Sequence, residues 1–210
     1  MGNILLGRMS FQSPARTESA RSVMRQKRYS CGASLFSPLR KGSKFTPSVA
    51  LAAASGFLMD VPNACVSGVL AIAIAKRFIK QGTYDHVFVA AGDLVTQFIL
   101  SGFQAFQALS SEPCRPYCKT RSGINIGEVG ASVLVTKDRD NLIEESVSLI
   151  GEASCNDANH ISGPSRTGEG LFRSVTSALN QANLSAENID YISAHGTATL
   201  FNDEMEVLSS

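Results

Sequence analysis

One cysteine lies where a helix is expected to begin. Cys65 belongs to Asn63-Ala-Cys-Val-Ser-Gly68, a turn of small residues that precedes an apolar run ending at Lys76. A thiol at a helix N-terminus meets partial positive charge and unpaired amide N–H groups, which lower its pKa from about 8.5 to ~3.5–7.5. Those amides also suit the oxyanion that forms when a thiolate attacks a thioester. The placement predicts a nucleophile; the alternative is a small buried core residue, as free cysteines usually are.

A histidine occupies a second position of this kind. Ile189-Asp-Tyr-Ile-Ser-Ala194 is predicted to form a strand, and His195 follows it directly. Open α/β sheets gather their chemistry at the carboxyl ends of strands. Cys65 also follows a short apolar run, Leu58–Val61, so both residues occupy positions where such a sheet places its site. The alternative for His195 is a hydrogen-bonded scaffold residue.

Helical and strand-like segments alternate along the rest of the chain. Helices are predicted at Val66–Gln81, within Leu94–Leu109 after a loop, and at Gly168–Asn183. A short helix is also predicted within the Ala-rich residues 46–58. The other predicted strands are His86–Ala91, Gly130–Thr136 and Val147–Ala153. Strands that alternate with helices favour an α/β fold with a largely parallel sheet.

Composition narrows the class of protein. The 210 residues are 44% hydrophobic, which suits one globular domain or at most two small ones. The longest apolar run is too short to cross a bilayer, and no secretory signal follows Met1. The five cysteines are an odd number, so we expect reduced thiols and a cytoplasmic location rather than a disulfide framework. Cys114 and Cys118 have no second Cys or His pair nearby, and no metal site is predicted.

The net charge of +1 hides an asymmetry. Residues 1–45 hold nine Lys and Arg residues and one acid. Such a basic, Ser-rich segment could be a nucleic-acid arm or a transit peptide, but its low aromatic content is unlike an RNA-binding module. We expect a solvated, weakly ordered segment that does not bind nucleic acid. The predicted division is a basic, divergent segment at residues 1–56 and a folded domain at residues 57–210.

A set of motifs occurs in one order along the chain: Asn63-Ala-Cys-Val-Ser-Gly68, Gly92-Asp93, Ser101–Ser110, Cys114-Arg-Pro116, Arg121–Gly130, Ala194-His-Gly-Thr-Ala-Thr199 and Asn202–Glu206. Together these motifs resemble the β-ketoacyl-[acyl-carrier-protein] synthases of the thiolase superfamily. The segment Asn156–Gly170 looks most like the aryl-polyene and flexirubin-type bacterial ketosynthases.

The resemblance implies a partial thiolase-like α/β fold, with a mixed sheet, covering helices and most of the C-terminal half lacking. It also implies a decarboxylative Claisen condensation. Cys65 would accept an acyl group as a thioester, and its amide would contribute to the oxyanion hole. The carbanion from malonyl-carrier protein would then attack that thioester. His195 would be one of two histidines that polarise the malonyl thioester.

Further residues receive roles only through the resemblance. Thr197 and Thr199 would bond a phosphopantetheine arm, or else cap nearby backbone. Asp203 and Glu206 would organise the site, Glu206 by pairing with a lysine, or else would be ordinary acids at a helix start. Phe103 would line the acyl pocket, or else belong to the core. The implied partners are an acyl-carrier protein and, in the full fold, a second ketosynthase subunit in a homodimer or heterodimer. No resident cofactor is implied, since phosphopantetheine arrives on the carrier.

Three family segments do not occur in the 210 residues: Asn-Ser-x-Lys, Gly-His-x-x-Gly-Ala-Ala-Gly with the second histidine, and a Gly-Phe-Gly loop. We therefore expect the chain alone to be inactive or impaired in condensation. A second hypothesis is that the chain is a gene fragment or carries a frame error. The alternatives in function are a non-catalytic ketosynthase partner of the chain-length-factor kind and a thiolase- or acyltransferase-like enzyme.

Overall fold

The computed structural model describes residues 2–9, 48–54, 57–140, 142–143, 146–156 and 165–209. Ten helices and strands follow one another in the described part: β1 (Gly2–Met9), β2 (Ser48–Ala54), β3 (Phe57–Val61), α1 (Ser67–Lys80), β4 (His86–Asp93), α2 (Gln97–Ala105), β5 (Val129–Thr136), β6 (Val147–Cys155), α3 (Glu169–Ala182) and α4 (Leu200–Leu208). Short 3₁₀ turns cover Ala64–Val66 and Ala186–Asn188. The predicted helices at 66–81, 94–109 and 168–183 are confirmed as α1, α2 and α3.

The larger sheet has the strand order β3-β2-β4-β5. Strand β2 is antiparallel to both of its neighbours, and β5 is antiparallel to β4. Strands β3 and β4 therefore run in the same direction, joined through α1, with β2 between them. The prediction of a largely parallel sheet is wrong, because an antiparallel strand separates the two strands that the helix connects. Parallel pairing in the described residues is limited to the isolated bridge between Leu109 and Ile124.

Helix α1 lies against this sheet and forms the core with it. Ala71 and Ala75, four residues apart on one face of α1, are fully buried. Val87 and Val89, two residues apart on one face of β4, are also buried and belong to the same cluster. The small alanine side chains let the helix approach the strands closely. The core therefore fixes α1, the helix that begins two residues after Cys65, against the sheet.

Helix α1 also contacts the second, two-stranded sheet of β1 and β6. The Arg77 guanidinium pairs with the buried Glu152 of β6 at 2.9 Å, and Lys76 Nζ donates to the Ile150 carbonyl at 3.2 Å. Helix α3 packs on β6 so closely that a Cβ on Gly151 would lie 2.5 Å from the Ala178 carbonyl oxygen. The helix that begins beside Cys65 is thus held between two sheets.

Three expectations for secondary structure are wrong. Residues 48–54 form strand β2 rather than a helix, because ladders to β3 and β4 on both edges outweigh the helix propensity of alanine. Residues 2–9, assigned no regular structure, form β1 through their antiparallel ladder with β6. Residues 189–194 have the composition of a strand but form none, since no strand within the described residues pairs with them.

Some predictions fall outside the described residues. These are the weak order expected for residues 10–47 and most of the segment that carries the finer family resemblance, at 157–164. The division between residues 56 and 57 stays a prediction. None of the helices described here is long and apolar enough to cross a membrane.

Candidate active site

Cys65 lies in a 3₁₀ turn between β3 and α1, on a tightly braced backbone. Ala64, the preceding residue, has a φ of 46°, in the left-handed region that costs about 1–2 kcal/mol for a residue with a side chain. The buried Ser67 hydroxyl donates to the Ala64 carbonyl at 2.7 Å and accepts from the Asn63 N–H at 2.9 Å. One side chain therefore holds both ends of the turn that presents Cys65.

His195 interacts with the Cys65 side chain, although 130 residues separate them in sequence. A hydrogen bond to His195 lowers the pKa of Cys65, and the histidine's charge lowers it further, against partial burial and the charge of Asp93. The same hydrogen bond raises the pKa of His195, with a further rise from the negative charge of Glu206. Opposite shifts of this kind favour a thiolate–imidazolium pair. Although each side chain is partly desolvated, both residues keep exposed surface, so a substrate has access to them.

Glu206 of α4 holds the backbone at His195. Its Oε1 accepts the His195 N–H at 2.6 Å, and its Oε2 accepts the Gly196 N–H at 2.9 Å and the Tyr117 hydroxyl. Burial raises the pKa of Glu206, but these three donors outweigh it and the net pKa is lowered. The carboxylate therefore remains ionised while it holds the loop that carries the histidine.

Asp203, one turn earlier on α4, is 1% exposed and joins the same loop to residues 116–121. Its Oδ1 accepts the Ala198 N–H at 3.1 Å, and its Oδ2 accepts the Tyr117 N–H at 2.8 Å. The Arg121 guanidinium lies 3.3 Å from Oδ2 and also donates to the carbonyls of Cys118 and Leu200. Two carboxylates of one helix thus fix the loop from His195 to Thr199.

The remaining predicted site residues have these positions. The hydroxyls of Thr197 and Thr199 lie 2.7 Å apart, and Thr199 Oγ1 also accepts from Asn202 Nδ2 at 3.0 Å. Both threonines are half-buried, two and four residues after His195. Phe103 is half-buried on α2. The structure brings Cys65, His195 and Glu206 together directly, and roles for Thr197, Thr199 and Phe103 in substrate binding stay predictions.

Sequence reasoning missed three residues of this arrangement: Ser67, Tyr117 and Arg121. Ser67 and Arg121 stand inside motifs that carry the family resemblance, so their positions could have been singled out. Tyr117 lies between Cys114 and Cys118, for which the sequence predicts no metal site. Its partner Glu206 is 89 residues away in sequence, and no local signal indicates that contact.

The arrangement supplies a nucleophile, a proton carrier and a fixed loop beside them. A thiolate at Cys65 can attack a carbonyl carbon, and His195 can hold or give up a proton at the leaving atom. Across the described residues, no three His, Cys, Asp or Glu side chains are grouped so as to hold a metal ion. A thiol and an imidazole placed in this way can support acyl transfer through a thioester.

Two family models match the chain. The model for the N-terminal domain of β-ketoacyl synthase matches residues 51–141, and the model for its C-terminal domain matches residues 147–210. Together they take in Cys65, His195, Asp203 and Glu206. The chain is also 37% identical over 154 residues to 3-oxoacyl-[acyl-carrier-protein] synthase 2 of Rhizobium meliloti (strain 1021), a match that covers 67% of this chain and 36% of that protein.

Solved structures give the same likeness. The ketosynthase ApeO, in complex with its chain length factor ApeC from Xenorhabdus doucetiae, is 34% identical with a TM-score of 0.64, over 69% of this chain and 35% of that one. The complex AntDE:AntF, a type II PKS acyl-carrier protein with its ketosynthase, is 28% identical with a TM-score of 0.61, over 69% and 38%. These likenesses confirm the α/β, thiolase-like fold class. The chain spans between about a third and two fifths of the length of the three proteins named here.

Proposed function

This chain belongs to the β-ketoacyl synthase family, and from that premise we propose that Cys65 is an acyl-accepting nucleophile. The observation that carries the proposal is the Cys65–His195 pair, in which the pKa of the thiol is lowered and that of the imidazole is raised. A thiol outside such a pair is mostly protonated at neutral pH. The lowered pKa enlarges the thiolate fraction of Cys65, and the thiolate is the nucleophilic form of the side chain.

The proposed step is a thioester exchange. The Cys65 thiolate attacks the carbonyl carbon of an acyl thioester, and a new C–S bond forms as the carbonyl π electrons move to oxygen. When the carbonyl re-forms, the original C–S bond breaks and the carrier's sulfur leaves with the electron pair, taking a proton from His195. While the tetrahedral intermediate exists, the Cys65 amide donates a hydrogen bond to its oxyanion. The acyl group then remains on Cys65.

The family reaction continues with malonyl-carrier protein. Loss of carbon dioxide leaves a carbanion that attacks the acyl carbonyl on Cys65, forms a C–C bond and releases the Cys65 thiolate and a 3-ketoacyl thioester. His195 would donate a hydrogen bond to the malonyl carbonyl. This step is expected to use a second histidine, and the 210 residues supply one histidine within a matching motif. We therefore propose that the chain tested by itself stops at the acyl-enzyme.

An acyl-carrier protein is the proposed donor, and its phosphopantetheine arm makes a resident cofactor unnecessary. Thr197 and Thr199 are proposed to bond that arm, and Phe103 to line the acyl pocket. A ketosynthase subunit, identical or related, is the proposed partner in the full fold. A cytoplasmic location suits a reactive thiol, which stays reduced there.

The same pair weighs against the first alternative, a non-catalytic partner of the chain-length-factor kind. A scaffold has no need of an accessible thiol with a lowered pKa. A thiolase- or acyltransferase-like enzyme would use the same acyl-enzyme without a malonyl donor. A ketosynthase and a thiolase- or acyltransferase-like enzyme differ in the second step, since only a ketosynthase converts a malonyl thioester into a 3-ketoacyl product.

Intact-mass spectrometry of the chain after incubation with an acyl-carrier-protein thioester tests the proposal. We expect a mass increase equal to one acyl group, mapped to Cys65 by peptide fragmentation. Cys65→Ala should abolish it. Cys114→Ala is the matched control, because Cys114 is also an exposed thiol and the variant should acylate normally.

Adducts that map to other cysteines, or that persist in Cys65→Ala, would contradict the proposal. Addition of malonyl-carrier protein tests the second step. We expect no 3-ketoacyl product from the chain alone, and robust product formation would contradict the expectation that it stops at the acyl-enzyme.

A further inference from the structure

Tyr117 lies against the loop that carries the proposed general acid. Its φ is 62°, in the left-handed region, and both of its hydrogen-bond donors bond carboxylates of α4. The Tyr117 N–H donates to Asp203 and the hydroxyl donates to Glu206. A Cβ on Gly196 would lie 3.6 Å from Tyr117 Cε2, so the ring stands directly beside the peptide that follows His195. These contacts with α4 and with Gly196 thus stabilise the strained backbone conformation of Tyr117.

The hydroxyl of Tyr117 completes the set of donors on Glu206. Without it, Oε2 of Glu206 would keep the Gly196 N–H at 2.9 Å, and Oε1 would keep the His195 N–H at 2.6 Å. Burial and the bond to Glu206 raise the pKa of Tyr117 well above its ordinary value, so the hydroxyl stays protonated and donates at any working pH. A hydroxyl bonded to an ionised carboxylate makes a charge-assisted bond, among the stronger and more directional kinds.

We propose that Tyr117 is a positioning residue for the Cys65–His195 pair, and that it acts by fixing the Glu206 carboxylate on the backbone of His195 and Gly196. The inference rests on the proposed function, since it concerns the same pair. Without the hydroxyl, the carboxylate turns more freely, the loop loosens and the imidazole spends less time on the thiol. The other charged groups facing this set are Asp93 near Cys65, and Asp203 with its partner Arg121.

The test is the pH profile of Cys65 alkylation by iodoacetamide, followed on the Cys65 peptide by mass spectrometry. This probe needs no acyl donor. A loss of positioning that raises the midpoint by about half a pH unit lowers the rate roughly threefold at a pH below both midpoints. We expect that loss in Tyr117→Phe, with a rate at pH 9.5 within about a factor of two of the wild type, where the thiol is ionised in both.

Tyr191→Phe is the matched control, because Tyr191 is 82% exposed and the same hydroxyl is removed away from α4. It should leave the profile unchanged. A second arm adds Tyr117→Phe to Glu206→Ala. If Tyr117 acts through Glu206, the added change has no further effect, whereas additive losses would overturn the proposal.

The outcomes separate the two proposals. A wild-type midpoint at the ordinary thiol value would overturn the Cys65–His195 pair and with it the proposed function. A lowered wild-type midpoint that Tyr117→Phe leaves in place overturns the role of Tyr117 alone. Tyr117→Phe retains the ring that packs beside Gly196, so its fold should be intact and its loss of alkylation rate confined to low pH. An equal loss of rate at low pH and at pH 9.5, or the absence of a cooperative thermal transition in this variant, therefore also overturns that role.

Discussion

The Ser67 hydroxyl donates a hydrogen bond of 2.7 Å to the carbonyl oxygen of Ala64, the residue just before the candidate nucleophile. Ala64 has an unfavourable left-handed backbone conformation, and this bond stabilises the turn in that conformation. Ser67 is 4% exposed, so water does not readily replace the bond. The direction in which Cys65 points therefore depends on a side chain two residues further along.

Ser67→Ala should weaken both the fold and the site. Loss of a buried hydrogen bond typically costs about 1 kcal/mol of unfolding free energy, measurable by urea denaturation. Relaxation of Ala64 should also lower the rate of Cys65 alkylation by about fivefold, if the same energy is lost from the reactive geometry. Ser177→Ala is the control, since Ser177 is exposed on α3, and surface changes usually stay within about 0.5 kcal/mol. An unchanged rate of Cys65 alkylation in Ser67→Ala would show that the Ser67 hydroxyl does not position Cys65.

His195→Ala should move the pH dependence of Cys65. Because the pKa of the thiol is lowered, Cys65 is ionised at pH values between its lowered pKa and the ordinary thiol pKa near 8.5. The thiolate is protonated as the pH falls through the lowered pKa. Removal of His195 raises the midpoint, and each unit of rise reduces alkylation about tenfold at a pH below both midpoints. At pH 9.5 the two rates should converge.

The matched control for that profile is His86→Ala. His86 bonds Thr136 at 2.8 Å on the surface, at the far end of β4 from Asp93. Its removal should leave the Cys65 profile in place. A profile for His195→Ala identical to that of the wild type would show that the imidazole does not control the thiol.

Arg121 offers a comparison of two acids that pair with one guanidinium. Asp203→Ala leaves Arg121, which is 11% exposed, without its buried partner and removes acceptors from Tyr117 and Ala198, so we expect a loss of about 3–5 kcal/mol. Glu204 lies 3.6 Å from the same arginine but is 57% exposed, and Glu204→Ala should cost about 1 kcal/mol or less. Denaturant unfolding of both variants measures the difference, and equal losses would contradict the structural role of Asp203.

Thr197→Val should separate carrier binding from thiol chemistry. If the hydroxyl bonds a phosphopantetheine arm, its loss should slow acylation from an acyl-carrier-protein thioester by about fivefold, the worth of one hydrogen bond. Alkylation by iodoacetamide, which has no such arm, should keep its rate. Thr176→Val on α3 is the control. Equal slowing of both reactions would instead indicate that Thr197 supports the loop through its bond to Thr199.

Helix α1 and the location of Cys65 could be predicted because local signals agree: small residues at a turn, then an apolar run that ends in Lys76 and Arg77. Strand β2 could not, since Ala-rich residues become a strand only through partners on both edges. The contact of Tyr117 with Glu206 joins residues 89 positions apart, and that of His195 with Cys65 spans a longer distance still. Sequence motifs indicated which residues belong together, while the hydrogen bonds that align them depend on tertiary packing.

The pairing of β1 with β6 bears on the order in which the chain assembles. Met9 faces Val147 in that ladder, so the two-stranded sheet closes a very long loop, and contacts so distant in sequence form slowly. The elements around Cys65, from β3 through α1 to β4, are contiguous and can form early as a nascent chain leaves the ribosome. His195 is synthesised 130 residues after Cys65, so the thiol gains its partner only after these elements have been made.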